Sequence, residues 1–161
     1  MKNHFCFIPL LIIMLPVLSG CAISRNVQPV DSTVRIDKIY VQNNPRVLMD
    51  GLLPEIVAQI RELGFPSESY TGDRPEAVRH YITFTANWNW DMAMYLTYFR
   101  ATLYEEGRVL GEAEYDAKMG GANMNKFGKT ADKIRPLLTQ LLEKVARPGR
   151  ASPIGTAGSA P

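Results

Sequence analysis

Residues Tyr81-Ile82-Thr83-Phe84-Thr85-Ala86-Asn87-Trp88-Asn89-Trp90-Asp91 (YITFTANWNWD, 81–91) read as one strand. Ile82, Phe84, Ala86, Trp88 and Trp90 take alternate positions, and Tyr81, Thr83, Thr85, Asn87 and Asn89 fill the gaps. Strict period two marks a strand with one face on a core and the other toward water. Met94 to Glu105 continues as a second strand with Thr97, Phe99, Ala101 and Leu103 on one face. Glu106-Gly107 suits a two-residue hairpin loop. A third strand, Arg108 to Ala117, sets Val109, Gly111, Ala113 and Tyr115 inward and Leu110, Glu112, Glu114 and Asp116 outward.

Outward from this meander the period changes. Val34 to Val41 (VRIDKIYV) is rich in β-branched residues, and a slip of phase between Ile36 and Ile39 suggests a bulge near Asp37-Lys38. Asn43-Asn44-Pro45 reads as a helix cap and first turn. Leu48, Leu52, Ile56, Ile60 and Leu63 then recur near helical spacing, with Gly64 as the C-terminal cap. Pro54 inside that pattern implies a kink or a late start. Ser67 to Tyr70 is a short strand, and Thr71 to Glu76 is rich in turn residues. After a loop from Gly120-Gly121 to Lys129, Thr130 to Val145 forms the last helix. Ile134, Leu138, Leu141, Leu142 and Val145 make its apolar side, and Pro136 marks its first turn or a kink. The expectation is an α+β two-layer sandwich: two helices on one face of a four- to five-stranded, antiparallel-dominated sheet, in the order β-α-β-β-β-β-α.

The ends have their own character. One charge at Lys2, an apolar stretch from Phe5 to Leu18 and small residues Ser19 and Gly20 make residues 1–20 a secretory signal segment. The stretch falls short of the roughly 20 residues a membrane-spanning helix needs. Leu18-Ser19-Gly20-Cys21 resembles the lipobox of bacterial lipoproteins. That resemblance implies cleavage before Cys21, which becomes an acylated N-terminus with a thioether-linked diacylglycerol and an amide-linked chain such as palmitate. Stable anchoring takes more than one chain, and three would hold the protein without a spanning helix. Ala22 is not the aspartate that favours inner-membrane retention in such proteins, so the implied site is the outer membrane, facing the periplasm. Residues 21–33 read as the lipidated cysteine and a polar tether able to extend roughly 40 Å. The α+β domain then spans 34–146. The tail 147–161 holds three prolines and three glycines and reads as disordered.

The composition excludes several kinds of chemistry. With 18 Lys+Arg against 16 Asp+Glu in 161 residues, no basic field exists for nucleic acid. Cys6 leaves with the signal segment and Cys21 is acylated, so no thiol remains to pair. His80 is the one histidine left, which gives a triad or a zinc site almost nothing to use. It reads as an ordinary surface histidine, too far along the strand from Asp91 to form a dyad. No metal or cofactor is expected. Trp88 and Trp90 could form an aromatic platform for a sugar or headgroup; a shared face with Ile82 and Phe84 favours both pointing into the core. Glu105, Glu106, Glu112, Glu114 and Asp116 form an acidic cluster. As paired carboxylates they could serve glycoside hydrolysis, but alternation on a strand with Arg100 and Arg108 opposite favours a solvated, cross-strand-paired face. Tyr98, Arg100, Thr102 and Tyr104 share one face of the second strand. They are either a partner surface or simply good strand formers facing water.

Asn44-Pro45-Arg46-Val47, Tyr81 to Ala86, Trp90-Asp91 with Tyr95-Leu96, Gly111 to Tyr115 and the final Leu-rich helix together resemble a family of small uncharacterised proteobacterial lipoproteins. The resemblance implies an anchored envelope protein with a compact α/β domain and brings no activity. The expectation is therefore a non-enzymatic periplasmic interaction module, held at the membrane by its lipid and acting on an envelope protein partner. The alternatives are a carboxylate-based glycan hydrolase and a lipid-binding accessory subunit of a transport assembly, which would need an apolar groove between helix and sheet.

Overall fold

The computed structural model describes residues 23–149. The expected signal segment, Cys21 and the tail beyond residue 149 lie outside the described residues. The fold is α+β: strands β1 (Ser24–Gln28) and β2 (Ile39–Gln42), helix α1 (Leu52–Glu62), strands β3 (Ser67–Tyr70), β4 (His80–Asp91), β5 (Ala93–Glu105) and β6 (Arg108–Asp116), and helix α2 (Thr130–Leu142). A short 3-10 turn, Met124–Lys126, precedes α2. The six strands form one sheet in the order β1-β6-β5-β4-β2-β3. The β1–β6, β6–β5 and β5–β4 pairs are antiparallel, and the β4–β2 and β2–β3 pairs are parallel.

The sheet is therefore mixed and six-stranded, larger than the four to five antiparallel-dominated strands expected. The extra strand, β1, lies inside the segment read as a tether. Its residues are mostly exposed, and the ladder to β6 holds it rather than a buried face, so its sequence carries no alternation to find. Just beyond it, Val30 is fully buried and its N–H donates to the Leu141 carbonyl at 3.0 Å, which fixes the segment to α2. The expected strand 34–41 contracts to β2, with Arg35 making a lone parallel bridge to Ala146.

Parallel β2 and β3 require a crossover, and α1 supplies it. The helix begins late. Asn44 donates its amide to the Phe84 carbonyl at 2.8 Å and accepts from the Arg46 N–H, so it shapes a loop instead of capping a helix. Gly51, at φ 88°, precedes Leu52. Pro54 thus falls in the first turn, where a missing N–H breaks no bond. At the other end Gly64 takes φ 94° and the Phe65 N–H reaches back to the Ile60 carbonyl at 3.2 Å, a Schellman closure. In α2, Pro136 lies in the helix interior, beyond the first turn. Fully buried Ile56, Ile60, Ile134, Leu137, Leu138 and Leu141 fill the space between the helices and the sheet.

Two bulges disturb the period-two reading of the meander. On β5, Thr97 has no partner residue where Asn87 pairs with Tyr98 and Trp88 with Leu96. Its hydroxyl donates to the Asn87 carbonyl at 3.0 Å. On β6, Leu110 is the extra residue, because Leu103 pairs with Gly111 and Tyr104 with Val109. Val109, expected inward, is consequently 53% exposed. The Glu106-Gly107 loop is as expected, with φ values of 50° and 94° that fit a type I′ turn.

Candidate functional site

The helices cover the face carrying Ile82, Phe84, Ala86, Phe99, Ala101, Leu103, Ala113 and Tyr115, all buried. The opposite face carries no helix. There the expected surface residues Tyr98, Arg100, Thr102 and Tyr104 lie in a row on β5, flanked by Tyr81, Thr83 and Thr85 on β4 and Glu112 and Glu114 on β6. Tyr98 and Tyr104 are half-buried, Arg100 is exposed and Thr102 is buried between its neighbours.

Cross-strand bonds hold this face. Arg100 lies 2.6 Å from Glu114 and 3.5 Å from Glu112, as the cross-strand reading of the acidic cluster requires. Tyr98 donates its hydroxyl to Glu114 at 2.8 Å, and Thr102 donates to Glu112 at 3.1 Å. The Arg100 guanidinium, with the Tyr98 hydroxyl, holds the Glu114 carboxyl below the usual carboxylate range, and the Arg100 pKa rises in return. Burial, reinforced by the bond to Glu114, pushes Tyr98 up to about 12. Lys118 Nζ sits 4.1 Å from the Tyr98 ring centre. Tyr81, which the sequence reading did not select, stacks on Tyr104 with ring centres 5.1 Å apart. Its place on the open face follows from the same alternation that buries Ile82. A shallow depression lined by Asn44, Thr85, Arg100, Thr102, Tyr104 and Glu112 opens on this face.

Glu105 belongs to a separate corner. It pairs with Arg108 and with Arg79, which hold its carboxyl below the ordinary range, Arg108 most strongly. His80 corrects its expectation of exposure: it is 7% exposed, and its Nε2 lies 3.3 Å from Glu105 Oε1 without hydrogen-bond alignment. Sequence spacing missed the contact because His80 and Glu105 meet by cross-strand register.

The two tryptophans part company. Trp88 packs against the core and donates its indole N–H to Thr130 Oγ1 at 3.2 Å. Trp90, expected inside, is 67% exposed, because β4 and β5 run past the end of the helix layer. Met92 and Met94 of the same hairpin and Met124 of the 3-10 turn are exposed as well. Lys126 ties that turn to the hairpin with Nζ 2.5 Å from Asp91 Oδ2 and 2.6 Å from the Gly121 carbonyl. Phe127 meets the Tyr95 ring edge-on at 5.6 Å. Among the described residues, no three His, Cys, Asp or Glu side chains converge to hold a metal ion, and no helix is long and apolar enough to cross a membrane.

These elements define a two-layer α+β sandwich with one uncovered face of tyrosine, arginine and glutamate. Solved structures share the fold. The dodecamer of a protein named PelC from Paraburkholderia phytofirmans aligns with TM-score 0.50 and 10% identity, over 76% of this chain and 96% of that one. A point variant of the same protein in a second crystal form gives the same values. No protein-family model matches the sequence, and no curated protein does.

Proposed function

We propose that this protein is a non-enzymatic interaction module of the cell envelope, lipid-anchored through Cys21 at the outer membrane and facing the periplasm, and that the uncovered sheet face binds an envelope protein partner. The observation that carries the reading is the aromatic and charged row Tyr81, Tyr98, Arg100 and Tyr104, left open while two helices bury the other side. Tyrosine and arginine are enriched at protein interfaces, and here cross-strand bonds hold Tyr98 and Arg100 while Tyr81 and Tyr104 stack, which lowers the entropy lost on docking.

The hydrolase alternative gains no support from the same face. Glu114 is held as an anion by Arg100 and is unsuited to donate a proton. A lipid-carrying subunit is disfavoured by the filled space between helices and sheet.

The test is crosslinking in cells and co-purification from detergent-solubilised envelopes, comparing wild type, Cys21→Ala and the double variant Tyr98→Ala with Arg100→Ala. A partner that the double variant loses while still folding supports the assignment of the face. One retained by that variant and lost by Cys21→Ala supports tethering but removes the face.

A further inference from the structure

The exposed large apolar side chains are not scattered. Among the described residues they are Leu48, Met49, Trp90, Met92, Met94, Val109, Met119 and Met124. Trp90, Met92 and Met94 form the tip of the β4–β5 hairpin, where Met92 takes φ 61° and Trp90 pairs with Met94. Met119 and Met124 lie in the loop beneath it, tied to the tip by the Lys126–Asp91 pair. Leu48 and Met49 follow β2, which runs parallel to β4 and so points its C-terminal end the same way. Val109 alone sits at the opposite end, beside the β5–β6 turn.

The chain also enters at that end. Ser24 pairs with Asp116, Asp116 with Tyr98 and Tyr98 with Asn87, so β1 starts where β6 finishes, on the hairpin-tip side of the sheet. Ile23 lies against Gly120, in the loop that carries Met119. Three residues of chain span at most roughly 10 Å, so an anchor at Cys21 would hold the domain by this end. The hairpin projects about five residues, roughly 17 Å, beyond the Tyr98–Asp116 level. Exposed cations Arg25, Lys118 and Lys129 ring the same end.

We infer that this end is a membrane-resting surface: Trp90, Met92, Met94, Met119 and Met124 enter the bilayer interface beside the lipidated Cys21, with the cations at phosphate level. Tryptophan favours that zone because its ring is apolar and its N–H is wet. Scattered exposed apolar groups need no explanation, but three on one hairpin tip and two more in the loop at the same end of the sheet do. The inference rests on the anchored reading. It adds an orientation, with the sheet standing on its hairpin tip and the open face turned sideways to the periplasm.

The test uses the full-length lipidated protein reconstituted into phosphatidylethanolamine and phosphatidylglycerol vesicles, with and without brominated acyl chains. Trp88→Phe isolates Trp90, and Trp90→Phe isolates Trp88. Should the first variant misfold, wild type minus the second gives the Trp90 signal. The expected result is a blue shift of Trp90 emission on reconstitution and loss of most of it to the brominated chains, with Trp88 unaffected. Trp90 that stays open to aqueous iodide, in protein that floats with the vesicles, overturns the inference. Trp90 shielded from both quenchers puts a protein, a second copy included, on the tip and also overturns it. Mass measurement of the N-terminal peptide reports separately whether Cys21 is acylated, so loss of the anchor and loss of the tip contact are told apart.

Discussion

Trp88 and Trp90 stand two residues apart on β4, yet the first donates its indole N–H to Thr130 at the start of α2 and the second is 67% exposed. Their substitutions should differ accordingly. Trp88→Phe removes one hydrogen bond and part of a ring packed against the core, and is expected to cost about 1–2 kcal/mol. Trp90→Ser, at an exposed position, should fall within about 0.5 kcal/mol of wild type. Urea unfolding followed by far-UV circular dichroism measures both. Equal losses would contradict the placement of the two rings.

The same pair shows what alternation reveals and where it fails. From Tyr81 to Ala86 the period holds because α1 and α2 lie against that part of the sheet, so apolar and polar sides face different media. Beyond the Trp88–Leu96 pair the strands leave the helix layer, and the sequence keeps alternating where no core waits for Trp90. Hairpin chemistry at Glu106-Gly107 was legible because φ is a local property. β1 was not, because a ladder partner 84 residues downstream, Glu112 opposite Gln28, leaves no local mark. On the open face, Tyr98, Arg100, Thr102 and Tyr104 could be grouped from spacing, whereas the His80–Glu105 approach is set by strand register alone.

Gly111 is where β1 and α2 close on β6. A Cβ there would lie 2.7 Å from the Gln28 carbonyl oxygen and 3.0 Å from Leu141 Cδ1, with backbone on one side and a packed core residue on the other. Gly111→Ala must push β1 away, and overpacking of this kind costs about 1–3 kcal/mol. The loss should be local as well as global. Hydrogen exchange should speed up most at the β1 amides, and normal protection there together with unchanged urea unfolding would show that β1 is not closed against Gly111.

The Arg100–Glu114 pair ties stability to acid. The Glu114 pKa is lowered in the folded state, chiefly by Arg100, and those of Glu105 and Asp116 are lowered as well. A depressed carboxyl contributes stability that is present above the unfolded pKa and is lost as pH falls through the folded value. Stability should therefore decline below about pH 4.5, the ordinary glutamate range. Arg100→Met should weaken that decline by removing the main cause for Glu114, although partial exposure keeps the effect modest. Denaturant midpoints between pH 3 and 7 measure it, and identical profiles for wild type and variant would remove Arg100 as the cause.

Lys133 ties stability to pH with the same sign, in an alkaline window and through burial instead of pairing. It is 6% exposed on the inner side of α2, donates to the Lys126 carbonyl, and has its Nζ 5.5 Å from the Tyr115 ring centre. Burial lowers its pKa, with the charge of Arg25 adding to the effect. The unfolded chain then binds the proton more tightly than the folded one, so stability rises with pH between the folded value and about 10.5, where free lysine titrates. Tyr98 opposes this only above about pH 10, once unfolded tyrosine ionises while the folded group keeps its proton. Between pH 8 and 10 wild type should gain stability relative to Lys133→Met, whose side chain has similar length and no charge. A constant difference across that window would mean that Lys133 reaches water and holds its proton at an ordinary pKa.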